Sequence, residues 1–171
     1  MKRNILAIAI IAGASFSMSN AFADGGTINF SGEILDTACQ VDGSSQDMNV
    51  DLGKYSKTEL NGVGKKGVAK PFTITLKDCP ESATSAQVRF EGTNDATDSS
   101  LLATSGTAEG VAIGLMGADM KPLPLNIDSP DYNLVDSADN ELKFYAQYQA
   151  ISDTVKAGTA SAVANFSVIY K

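Results

Sequence analysis

Two cysteines and scattered carboxylates are the side chains here whose types and spacing could do chemistry. The 171 residues contain no His and no Trp, and 13 Lys and Arg stand against 20 Asp and Glu, a formal charge of −7. Without His there is no Ser-His-Asp triad, no Cys-His pair and no imidazole metal ligand. Cys39 and Cys79 lie far apart, without the C-x-x-C spacing of a redox pair, and two thiolates cannot make a four-thiolate zinc site. The carboxylates gather in two turn-rich stretches, Asp95 with Asp98, and Asp128, Asp131, Asp136 and Asp139. Paired carboxylates hydrolyse glycosides, but they need a walled cleft that a chain of this size seldom builds. Neither stretch has EF-hand spacing for Ca²⁺. Solvated loop charge is the reading, with no enzyme activity, cofactor or metal expected. The acidic balance also argues against nucleic acid, whose binding rests on clustered Lys and Arg.

The start of the chain decides how the cysteines read. Lys2 and Arg3 precede a run of small and apolar residues over 5–14, and a Ser-rich stretch then ends in Ala21-Phe22-Ala23. A basic start, a short apolar core and an A-x-A end make a secretory signal peptide over residues 1–23. The apolar run is about half the ~20 residues a membrane span requires. Cleavage before Asp24 leaves 148 residues with a charge of −9. In an oxidising compartment, Cys39 and Cys79 are most simply one structural disulfide. Closing a loop of that length stabilises by roughly 4 kcal/mol in the chain-entropy model.

The elements that must position these residues are strands. Met48, Val50 and Leu52 alternate with polar residues, as do Phe72, Ile74 and Leu76, then Val88 and Phe90, then Val111, Ile113 and Leu115. Leu142, Phe144, Ala146, Tyr148 and Ala150 form a longer stripe. Period-two alternation suits sheets with one face on a core and one in water. Turn-rich stretches at 62–67, 92–110 and 128–131 separate the runs, and one helical turn fits over 54–60. Many short strands between Gly, Asn, Asp and Pro imply an all-β sandwich of Greek-key type, with no internal repeat and no interdomain linker.

The two ends of the mature chain do not balance. Ala162, Ala164, Phe166, Val168 and Tyr170 form an alternating stripe that stops one residue before Lys171. By itself this reads as the last strand of a complete sandwich. Yet Gly26, Ile28, Phe30, Gly32 and Ile34 alternate in the same way ahead of Cys39, beyond what one strand of about 5–6 residues needs. There is strand pattern to spare at the beginning and none after the final strand. One chain end could supply what the other lacks.

Over residues 25–171 the sequence resembles the shaft pilins of chaperone–usher, type 1-like fimbriae. The resemblance rests on the segment 25–34, on Cys39 followed by Val41-Asp42, and on Leu76-Lys77-Asp78-Cys79 closing the segment from Phe72. Gly158, fourteenth from the end, and the penultimate Tyr170 complete the pattern. The resemblance implies an incomplete immunoglobulin-like β-sandwich that lacks its C-terminal strand. Residues 24–34 would be an N-terminal donor-strand extension and 35–171 the pilin domain. Gly26, Ile28, Phe30, Gly32 and Ile34 would enter a neighbour's groove, with Gly32 where no Cβ fits, although a simple bulge is the alternative for Gly32. Gly158, Ala162, Ala164, Phe166, Val168, Tyr170 and Lys171 would form the acceptor groove and chaperone-binding region. The Lys171 carboxylate would be anchored by basic residues of the chaperone.

The implied function is a structural subunit of an adhesive surface fimbria, polymerising head to tail by donor-strand exchange. The implied partners are neighbouring pilin subunits, a periplasmic chaperone, an outer-membrane usher and a host receptor reached through the assembled fimbria. The route runs through the periplasm of a Gram-negative bacterium to the cell surface. A minor or adaptor pilin is the alternative, or a subunit that binds a receptor through exposed loops such as 93–109.

Overall fold

The computed structural model of the protein describes residues 27–32 and 38–171. The expected signal peptide over residues 1–23, Gly26 and Ile34 lie outside the described residues. Residues 27–32 belong to a unit of their own, exposed and without regular secondary structure. Among the described residues the body contains ten strands and two single-turn helices. In chain order these are β1 Gln40–Val41, α1 Gly43–Gln46, α2 Lys57–Leu60, β2 Lys70–Lys77, β3 Ser85–Gly92 and β4 Leu102–Ala103. Then follow β5 Ser105–Gly106, β6 Val111–Met116, β7 Tyr132–Asn133, β8 Asn140–Ala150, β9 Ala160–Ser161 and β10 Ala164–Tyr170.

The strands make two main antiparallel sheets. The larger has the order β1-β2-β8-β6-β4 and the smaller β10-β3-β7, while β5 and β9 pair separately. Alternation explains the packing. Ile74 and Leu76 of β2 and Leu142 and Phe144 of β8 point inward from the larger sheet, and Ala86, Val88 and Phe90 of β3 meet them from the smaller. Phe144 is fully buried at their centre, with the Phe90 ring edge-on at 5.0 Å and Phe72 stacked at 5.7 Å. This is the expected immunoglobulin-like sandwich, with a core between two sheets.

Register identifies the two ends of the body. At one end Gln40 is paired with Lys77, Leu76 with Asn140 and Tyr170 with Ala86. The disulfide between Cys39 and Cys79 lies there, tying the first strand to the turn after β2. The Tyr170 hydroxyl donates to the Cys39 carbonyl at 3.2 Å and so links the last strand to the same end. At the opposite end Val111 is paired with Ala150, Lys66 bridges Gln149, and Ala164 is paired with Gly92.

The structure departs from simple alternation in four places. All six residues of β6 are buried: beyond β4 its edge is continued by residues 122–123, with Leu123 N–H donating to the Leu115 carbonyl, and the Leu101 side chain lies over Gly114. The stretch 92–110 holds β4 and β5 as well as turns. The stretch 128–131 runs beside β3, where Ser129 is buried and exchanges hydrogen bonds with Val88 through its own N–H and Oγ. Residues 48–52, a strand by pattern, belong to no ladder among the described residues. The helical turn is as expected: Ser56 caps α2 and Glu59 reaches back to the Ser56 N–H at 2.7 Å, a capping box.

Candidate functional site

β10 is hydrogen-bonded to β3 along its whole length and is the edge of its sheet among the described residues, so its other side carries N–H and C=O groups with no ladder partner among them. Its pattern is that of an interior strand. Phe166, Val168 and Tyr170, with Ala162 just before, pack on the core, yet each keeps part of its surface exposed. Burial raises the pKa of the Tyr170 phenol even so.

Beside β10 lies an open groove of about 590 Å³. One wall is the approach to β10, from Ala160 through Ala162 and Ala164 to Phe166. The facing wall is the unpaired stretch carrying Met48, Val50 and Leu52. The floor is apolar, made by Phe72, Phe90, Leu102, Ile113, Leu115, Ala146 and Tyr148. At the end remote from the disulfide a second cavity of about 510 Å³ adjoins it, sharing Tyr148, Ala160 and Ser161. The Tyr148 hydroxyl donates to the Ala160 carbonyl at 2.6 Å and pins the wall to the floor between the two.

A groove walled by two extended segments and floored by large apolar side chains has the shape and chemistry of a missing strand. The main chain that fills it could bond to the β10 edge, and alternate side chains could descend to the floor. Residues 48–52 carry a strand pattern, line this groove and have no ladder partner among the described residues. The sequence reading missed this second wall, although its alternation was the available signal.

The expected groove residues divide. Ala162, Ala164 and Phe166 line the groove, and Val168 and Tyr170 continue the stripe toward the disulfide end. Gly158 lies in the adjoining cavity instead, where a Cβ would stand 2.4 Å from the Ala108 nitrogen. Its glycine is required by the close approach to residues 107–108. Lys171 continues the β10–β3 ladder: its carbonyl oxygen accepts from the Thr84 and Ser85 N–H groups and its ammonium pairs with Asp131 at 2.8 Å. Of the expected donor residues, Ile28 and Phe30 are 76% and 91% exposed, and a Cβ on Gly32 would meet nothing within 4 Å.

Asp47 and Asp51 stand on the facing wall of the groove, while the ion pairs lie outside it. Asp42 holds Lys77 at 2.8 Å, and this bond, with those from Ser44, keeps the Asp42 carboxyl well below the usual carboxylate range. Asp128 is lowered in the same way by Arg89 at 2.6 Å on the outer face of β3.

Comparison with known proteins agrees with this geometry. The fimbrial protein family model matches residues 28–171. Long polar fimbria protein A of Salmonella typhimurium is 34% identical, covering 100% of this chain and 98% of that one. The crystal structure of the P pilus rod subunit PapA superposes with a TM-score of 0.69 at 26% identity, covering 79% of this chain and all of that one. A subunit from the structure of a chaperone–usher pilus superposes at 0.67 and 26% identity, over 90% of this chain and all of the other. An open apolar groove along an edge strand, a single disulfide and these likenesses together establish that the chain belongs to the fimbrial protein family, as a structural subunit of a surface fimbria.

Proposed function

We propose that this subunit polymerises by donor-strand exchange: residues 26–34 of one copy fill the groove beside β10 of the next. The observation that carries this reading is the mismatch on β10, an interior-type apolar stripe on a strand whose outer edge has no partner among the described residues. Such an edge is an aggregation hazard unless it is covered. Ile28 and Phe30 supply matching apolar surface at period two, and Gly26, Gly32 and Ile34 continue the alternation. Nine extended residues reach about 30 Å, longer than the seven of β10. Burying Ile28, Phe30 and Ile34 contributes roughly 1.5–3 kcal/mol each. A head-to-tail contact that does not close on itself yields a filament.

In the same reading the groove is covered before assembly by a periplasmic chaperone, and the subunit passes through an outer-membrane usher to the fimbria. The chain then serves as a building block and catalyses nothing. A synthetic peptide of residues 24–36 tests the exchange step. It should bind the mature chain one to one and raise its melting temperature, while the Phe30→Asp peptide should not. Mature chain carrying Phe30→Asp should form no SDS-resistant ladder in unheated gels. Equal binding of both peptides would refute the assignment.

A further inference from the structure

We infer that the end of the body remote from the disulfide is a docking face for the disulfide end of the next copy, held by opposite charge. This rests on the donor-strand reading above and adds a second contact between the two folded bodies. Of the eleven cations outside the leader, five fall between residues 54 and 70. Lys54, Lys57, Lys65 and Lys66 are all exposed, and none forms an ion pair among the described residues. The bridge from Lys66 to Gln149 and the bond from Gly64 N–H to the Ala150 carbonyl put the second pair at the remote end. Lys54 and Lys57 line the cavity there, which Lys156 also lines while pairing with Glu109. Against the acids of this end, Asp51, Glu59, Glu109 and Asp153, the five lysines of 54–70 and Lys156 leave a formal excess of two positive charges. Val63 and Val68 stand among them, 66% and 65% exposed, giving the face an apolar component.

The disulfide end has the opposite sign. Asp42, Asp78, Glu81, Asp131, Asp136 and Asp139 face only Lys77 and Lys171, a formal excess of four negative charges. Asp78, Glu81 and Asp136 are exposed and have no cation partner among the described residues, and Val135 beside them is 61% exposed. In an acidic chain, cations gathered at one end and outnumbered at the other make the body a dipole along its strands.

Connectivity brings these two ends together. Residue 38 leaves the body at the disulfide end, next to Cys39. A donor segment that ends at residue 34 is therefore joined to its own disulfide end by four residues, at most about 13 Å. That upper bound is well inside the ~30 Å Debye length at 0.01 M salt and exceeds the ~8 Å at physiological salt. Charges on the facing surfaces therefore interact strongly at low salt and, at physiological salt, where the surfaces approach within about 8 Å. β10 runs from Ala164 at the lysine end to Tyr170 at the disulfide end. A donor antiparallel to β10 leaves the groove at the lysine end and sets unlike charges together, whereas a parallel donor sets acid against acid. Charge thus orients the incoming copy and speeds encounter.

Charge reversal in the full mature chain tests this, with polymer growth followed at low and high salt. Lys65→Glu with Lys66→Glu should slow growth at low salt by about 3–10-fold, and the difference should vanish near 0.5 M NaCl. Lys65→Gln with Lys66→Gln should slow it less, which keeps the test intact if the glutamates disturb folding. Adding Glu81→Lys and Asp136→Lys to the reversed chain should bring growth back to within about twofold of wild type. The 24–36 peptide should bind every variant as it binds wild type, because the peptide has no body to dock. Unchanged growth in the Lys variants, or no recovery in the charge-swapped chain, with peptide binding intact, would overturn the docking face alone. Failure of the peptide to bind wild type would instead overturn the exchange reading.

Discussion

β8 and β10 are built from the same pattern and end in different states. Leu142, Phe144 and Ala146 of β8 are 1%, 0% and 5% exposed, while Phe166, Val168 and Tyr170 of β10 remain only partly covered. Both strands alternate, both are antiparallel, and both face the one core. The difference is neighbours: β8 lies between β2 and β6, whereas β10 has β3 on one side and a groove on the other. Alternation specifies which face of a strand turns inward, and the number of partner strands decides how far that face is withdrawn from water. A half-covered stripe on an otherwise well-packed sandwich is therefore a demand for a further strand.

Truncating the closed region should have the largest effect. Phe144→Ala removes the side chain that Phe72, Phe90 and Tyr132 surround and should cost about 3–5 kcal/mol. The loss, read from denaturant unfolding, should be the same with or without the 24–36 peptide. Replacing Cys39 and Cys79 by Ser should cost roughly 2–5 kcal/mol and loosen both regions, because the bond ties β1 to the turn between the sheets. Phe166→Ala should cost the free chain less, about 1–2 kcal/mol, since its side chain is already partly in water. In the presence of saturating peptide the same substitution should cost clearly more. If Phe166→Ala and Phe144→Ala respond alike to the peptide, the distinction between an open and a closed region is wrong.

The smallest expected effect concerns acid. The folded protein holds the Asp42 carboxyl low through Lys77 and Ser44, so the charged form is favoured by folding. That stabilisation is complete above the unfolded carboxylate pKa of about 4 and is lost as pH falls through the depressed folded value. Wild type should thus lose stability below about pH 4 more steeply than Asp42→Asn, measured by melting temperature across pH 2 to 7. The disulfide end, which Asp42 and Lys77 brace, should loosen before the β6–β8 end.

Much of the β-structure was legible because alternation is local. Phe72, Ile74 and Leu76, the Val88–Phe90 pair and the 142–150 stripe all became strands with the expected faces inward. The Cys39–Cys79 bond was legible from the export signal and the count of two. The structure lines its groove with Ala162, Ala164 and Phe166 of the expected last strand, together with a second wall and a floor that the sequence reading did not single out. Met48, Val50 and Leu52 look like any other strand in sequence, and only the empty space next to them distinguishes them. Gly158 was legible as a position in the family pattern, yet the obstruction that requires it is the backbone of residues 107–108, about fifty positions away. Ile113 and Leu115 read as ordinary strand core, and so they are, with their upper surface and that of Leu102 serving as the groove floor.

The sequence alone determined the all-β class, the disulfide, and the alternating strand pattern both ahead of Cys39 and over residues 162–170. These are matters of residue type and period two, which act between neighbours along the chain. The tertiary structure decided which segments face each other across the groove, which glycine is a close approach, and that five lysines share one end while the unpaired acids share the other. The lysine cluster over 54–70 is visible in sequence, but register and strand order decide which end of the body it occupies, bring Lys156 beside it and gather acids as far apart as Asp42 and Asp139.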